Sequence, residues 1–406
     1  MTSCEEVIRK LIDKIKKKEV PLYQAIPIKD FAITFASEFI AASELLEQLG
    51  IKDFLVKTTN GFTTIQTFNI ASTLTFLKIH NEQLNIDDFL SGIDEKKDGA
   101  FQFGYLLSST IGSHLKISED IEIAPYRDAR PNLTAVNRHE INDFLDHTSP
   151  EFNINREKLA VILIKIPLQQ MVFDKAPEDY DIKPVPGMLA SQKLREVQEL
   201  ISLISNRAIK ILASWGSYSD ERLDYLLGLN PYKNRDYYSD GGFAFFQSCM
   251  AETEWNKSKA FFDLILKAEQ SKELKVALDR VYSSIGNDDF MGKVLDLAIA
   301  MEVMCVSGRG DNTYKVATHI SWLCSTDKDE RLNIMKCIKD FYSLRSSIVH
   351  EGSYSKNATK YYGGEIKLYD LVLRYVKIAL IKLLELGKKP DWSEVAANGG
   401  VLILQK

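Results

Sequence analysis

The chain has 406 residues, 45% of them apolar and 26% charged, with a formal net charge of −5. That length allows two or three domains with a sizeable core, and the slight acidity excludes a whole-protein basic field, so any RNA contact has to come from a local patch. No apolar run approaches the roughly 18 residues a membrane span needs. The first helix carries too much charge for a secretory signal, and the five cysteines, odd in number, read as reduced thiols of a cytoplasmic protein.

Ser3 and Glu6 form a capping signal ahead of Val7, Ile8, Leu11, Ile12 and Ile15 at helical spacing. Residues 31–49 read as an apolar helix ended by Gly50, residues 62–67 as a strand or the approach to a helix, and Ile121-Glu-Ile123 as a strand. Residues 1–187 are therefore expected to form an α+β region, serving as a sensing or targeting module. Residues 159–171 are strongly apolar, and the breaks at Ala176-Pro177 and Pro184-Val-Pro186-Gly187 mark a domain boundary. After it the pattern turns helical. Leu194, Val197, Ile201, Ile204, Ile209 and Leu212 predict one long helix over 191–215. A shorter helix is expected over 220–227, then a loop over 230–242, the whole of 188–254 acting as a helical connector. Helices at 255–268, 274–284 and 288–306 open a helical domain over 255–390, followed by a tail at 391–406. The predicted class is mainly α, a C-terminal helical bundle preceded by the α+β region.

Three of the late helices hold the candidate chemistry. In the first, capped at Asp288 or Asp289, Glu302 is the only charged residue between Leu297 and Val306. An acid in such a run is costly to bury without a partner. The second starts at the capping signal Asp327-Lys-Asp-Glu330 and carries Ile334, Ile338, Phe341 and Ile348 as an apolar stripe, with Arg345 on that same stripe. A guanidinium there pairs with an acid, Glu302 being the obvious one, or lines a cleft or interface. His350 follows in the last turn, with Gly352 placed to end the helix. A five-residue offset turns His350 about 140° away from Arg345. Either the helix end unwinds or a second copy of the helix completes the site. The third helix, 365–386, is ended by Gly387 and reads as a bundle partner without chemistry of its own.

The string Tyr342-Ser-Leu-Arg-Ser-Ser-Ile-Val-His-Glu-Gly352, preceded by Ile299-Ala-Met-Glu302-Val-Met304, resembles the HEPN superfamily (higher eukaryotes and prokaryotes nucleotide-binding), specifically its Apea-like branch, over about residues 255 to 387. Met301 stands where that branch has Leu, and Glu351 intervenes before the glycine. The resemblance implies a metal-independent endoribonuclease on a helical bundle, an effector of bacterial anti-phage defence or a toxin. It implies a homodimer whose two motifs share one cleft, RNA as substrate, and an antitoxin or phage-derived trigger as partner. Arg345 and His350 match the catalytic pair, Ser346 the polar position after Arg, and Glu302 the upstream acid; Tyr342 is cleft wall or core. No cofactor, metal or membrane contact is expected. The alternative is a non-catalytic bundle for dimerisation or for RNA or nucleotide binding.

Other signals have plainer readings. His319, Cys324 and Cys337 lack the paired spacing of a zinc site and read as helix residues. Arg309-Gly-Asp311 reads as a turn. Asp181-Ile-Lys183 and Glu365-Ile-Lys367 have the acid-x-Lys form of metal nucleases, without a supporting strand hairpin. Lys14 to Lys18 reads as a solvated helix end.

Overall fold

A computed structural model describes residues 3–17, 32–58, 61–81, 83–93, 99–129, 138, 141–142, 144–146, 156–169, 171–173, 185–205, 211–220, 222–223, 226, 232–233, 255–268, 271–308, 310–353 and 364–400. The chain forms two units. One comprises Met1–Leu107, Glu119–Lys193 and Ile211–Phe243, the other Ser108–Ser118, Leu194–Lys210 and Ala244–Lys406. The architecture is mainly helical with smaller antiparallel sheets.

In the first unit, α1 (Cys4–Lys16) starts where Ser3 accepts from the Glu6 amide, and it buries Val7, Ile8, Leu11, Ile12 and Ile15, the stripe read from the sequence. α2 (Ala36–Gln48) buries Phe39, Ala42 and Leu46, a shorter helix than the 31–49 expected. β1 (Phe54–Thr58) and β2 (Gly61–Ile65) pair antiparallel, and α3 (Thr67–His80) follows at once. The expected strand or helix approach at 62–67 is thus both. Asp53 supplies the cap from a distance, accepting from the Thr67 amide and hydroxyl at 2.9 Å each, a bond no local cap pattern reveals. α4 (Ile86–Ser91) packs on α1.

The larger sheet contains β3 (Gly99–Thr110), β4 (Ile121–Pro125), β5 (Leu159–Leu168), β7 (Ile211–Tyr218) and β8 (Tyr232–Lys233), adjacent in the order β4-β5-β3-β7-β8, while β6 (Val172–Phe173) pairs with β1. β7 corrects the long helix predicted over 191–215. That helix, α5 (Pro186–Ile204), stops before Ser205, and Ile211–Tyr218 runs antiparallel to β3 with Gly104 opposite Trp215 and Phe101 opposite Tyr218. The physical reason lies in the partner strand. A Cβ at Gly104 would meet the Trp215 indole at 2.1 Å, so only glycine leaves room for that ring. The Phe101 and Tyr218 rings meet edge-on at 4.7 Å. Cross-strand packing of this kind overrides a helical apolar spacing. Parts of the boundary stretch 176–187, half of the expected helix at 220–227 and most of the loop at 230–242 lie outside the described residues.

The second unit holds α6 (Ser258–Ala268), α7 (Lys272–Gly286), α8 (Phe290–Cys305), α9 (Asn312–Cys324), α10 (Lys328–Glu351), α11 (Glu365–Leu386) and α12 (Trp392–Ala397). Most of their starts follow side-chain chemistry. Ser271, Asp289, Asp311 and Asp327 each accept from an amide in the first turn of the helix they precede. α11 touches every one of α6 to α10. Its Leu368, Val372, Val376, Leu380 and Leu383 are fully buried, which makes this expected bundle partner the centre of the helices it touches.

Two features of this unit have consequences for stability. Gly352 closes α10 at φ +62° with open space where a side chain would begin, so a larger residue there suffers only backbone strain. Gly352→Ala is expected to destabilise the protein by about 1 kcal/mol, read as a lower urea midpoint. The second feature is the fully buried Glu199. Lys275 reaches its two oxygens at 3.1 and 2.9 Å, Arg195 donates to one of them at 3.1 Å, and the same guanidinium bonds Asp279 at 3.1 Å. Burial first, and then the Asp279 carboxyl, raise the Glu199 pKa to about 7, against the lowering effect of Lys275.

Among the described residues no helix is long and apolar enough to cross a membrane.

Candidate active site

α8 and α10 bring three of the singled-out residues together. α10 buries Ile334, Ile338, Phe341 and Ile348, which leaves Arg345, on the same stripe, at the rim of the packed face. α8 buries Leu297, Ala298, Ala300, Met301, Met304 and Cys305 around Glu302. The guanidinium and the carboxylate approach to 3.8 Å, with side chains 32% and 29% exposed. The acid expected inside an apolar run therefore sits at a wet edge, where such a pair adds at most about 1 kcal/mol. Its significance is orientation.

Tyr342, nearly buried, donates from its hydroxyl to the same Glu302 oxygen at 3.4 Å. Burial, followed by the Glu302 charge, pushes the tyrosine pKa upward, so it stays protonated and acts as a donor. One carboxylate oxygen thus faces a buried hydroxyl on one side and a partly exposed guanidinium on the other. This arrangement leaves N–H groups of Arg345 directed elsewhere available to an anion.

Ser346 and His350 are exposed and do not join this group. α10 runs unbroken through Glu351 to the Gly352 cap, so the end of the helix does not unwind to bring His350 round. The two side chains stay about 140° apart around the axis and about 7.5 Å apart along it. Val349, 48% exposed, lies between them on this flank. His350 stands in the last turn of α10.

The remaining sequence candidates take structural places. His319 has Nδ1 2.8 Å from the Cys305 carbonyl and its ring stacked on Trp392 at 4.0 Å. Cys324 donates to the Tyr375 carbonyl, and Cys337 is buried. Among the described residues no three His, Cys, Asp or Glu side chains gather to hold a metal. Asp311 caps α9 by accepting from the Tyr314 amide at 3.1 Å; Arg309 and the 181–183 segment lie outside the described residues. Sequence reasoning passed over Lys389, whose Nζ donates to the Val303 and Val306 carbonyls at 2.9 and 2.5 Å. The signal was slight, a lysine pair between the helix-ending Gly387 and Pro390. We found no match for the chain among protein-family models, characterised proteins or solved structures.

Proposed function

We propose that the chain is a metal-independent endoribonuclease of the HEPN type, with Arg345 and His350 as its catalytic pair and Glu302, Tyr342 and Ser346 as accessory residues. One observation carries the reading: Arg345 sits at the rim of a buried stripe beside Glu302, which Tyr342 also bonds, with exposed Ser346 next in the chain and exposed His350 five residues on. In the reaction, the ribose 2′-oxygen bonds to the adjacent phosphorus and the bond to the 5′-oxygen breaks. A base takes the 2′-OH proton and an acid returns one to the leaving 5′-oxygen, tasks an imidazole performs near neutral pH. The guanidinium holds the phosphorane oxygens as negative charge builds. Because Arg345 and His350 diverge on one helix, the working site takes them from two chains, in a homodimer.

The test is incubation of the purified protein with total RNA and with tRNA in EDTA, followed by end-group analysis. Fragments with 2′,3′-cyclic phosphate and 5′-OH ends are expected. Cleavage that disappears with EDTA would assign the activity to a metal nuclease instead. A second reading, a non-enzymatic bundle for dimerisation or RNA binding, draws on the net charge of −5; it requires that no RNA is cleaved under any condition, whether or not RNA binds.

A further inference from the structure

The last carbonyls of an α-helix have no partner within the helix, and a cation is favoured at that end. At α8 these carbonyls are met from outside it. Lys389 binds those of Val303 and Val306, and His319 of α9 binds that of Cys305 at 2.8 Å. A carbonyl only accepts, so His319 carries its hydrogen on Nδ1. The segment that brings Lys389 is itself fastened. Trp392 lies flat on the His319 ring, 7° from parallel, and Arg331 at the start of α10 donates to the Gly400 carbonyl at 2.9 Å. Residues 389–400, which include α12, therefore form a strap across the end of α8, pinned near its start by Trp392 and at its far end by Gly400, with Lys389 leading it. The turn it holds is the one that carries Glu302, whose own carbonyl accepts from the Val306 amide at 2.8 Å.

We infer that Lys389 is a positioning residue for the Glu302–Arg345 pair, and that docking of the strap controls the candidate site. The inference rests on the ribonuclease reading of Arg345. Without the ammonium, two carbonyls in a half-buried place lose their donor, and the turn relaxes toward solvent. Glu302 then no longer fixes the guanidinium, and small displacements of a catalytic group are expensive in rate.

The experiment uses the full chain with Lys389→Met, Lys389→Arg and Lys388→Met, the last a control because Lys388 is exposed one residue away. RNA cleavage in EDTA gives kcat and KM, and amide exchange at Val306 reports the turn directly. Lys389→Met is expected to lower kcat roughly tenfold or more with KM little changed, and to speed Val306 exchange. Lys389→Arg should restore most of both, and Lys388→Met should match the parent. Unchanged Val306 exchange in Lys389→Met overturns the inference, as does an unchanged kcat while Arg345→Ala abolishes cleavage. An equal loss in Lys389→Arg also overturns it, since that variant keeps the cation. If Arg345→Ala cleaves like the parent, the ribonuclease reading falls, and the exchange measurement still decides whether Lys389 holds the turn.

Discussion

Alanine at Arg345 or at His350 is expected to slow RNA cleavage by at least about a hundredfold, the usual scale for losing a general acid–base group or a charge-stabilising donor. The fold should survive, because His350 is exposed and Arg345 lies at a rim, tied by one 3.8 Å ion pair. Far-ultraviolet circular dichroism and thermal unfolding check that part. The more telling experiment mixes the two dead variants. In a two-fold dimer with each site drawing Arg345 from one chain and His350 from the other, a mixed dimer keeps one intact pair. An equal mixture that has exchanged subunits should then recover about a quarter of parental activity, half the dimers being mixed and each having one of two sites. No recovery after demonstrated exchange would mean that each chain supplies its own complete pair, against the unbroken geometry of α10. Full activity in either single variant would remove the catalytic assignment altogether.

Glu199 should give the protein an inverted pH response in a defined window. Its folded pKa is raised from 4.5 to about 7, mainly by burial. Between those values the unfolded chain has released the proton while the folded chain still holds it. Stability therefore falls as pH rises through the window, and the contribution is fully present only below it. The expected loss is on the order of 3 kcal/mol. Other groups confuse the raw profile, so the comparison is with Glu199→Gln, which stays neutral throughout. The stability of the parent minus that of the variant, from urea unfolding at successive pH values, should decline steadily from about pH 4.5 to 7. A flat difference would show that Lys275 and Arg195 keep Glu199 ionised across the whole range.

Much of the second unit was legible because its signals are local. A capping side chain, an apolar period of 3.6 residues and a closing glycine all act within one helix, and Asp289, Asp327, Gly352 and Gly387 stand at the ends of α8, α10 and α11. The pairing of Arg345 with Glu302 was legible for a related reason, since a charged group in an apolar stripe needs a partner and few were on offer. Its exposure was not, because how deeply a helix face is buried depends on the neighbours that cover it. β7 failed for the same reason at larger scale. Leu212 and Trp215 fit a helical spacing, and only the strand opposite, with glycine where the indole lies, makes them a strand.

By itself, then, the sequence determined the course of α6, α7, α8, α10 and α11, the stripe that places Arg345, and the divergence of Arg345 from His350, because each follows from the geometry of a single helix; α9 and α12, the latter in a stretch read as a tail, came only with the structure. Only the tertiary structure decided that Tyr342 shares the Glu302 oxygen, that Lys275 meets the buried Glu199 and Arg195 meets Asp279, and that Lys389 closes the end of α8. Those contacts join residues 40, 76, 84 and 83 positions apart. At such separations no local pattern acts, and what brings the groups together is the packing of whole helices, which the chain specifies only collectively.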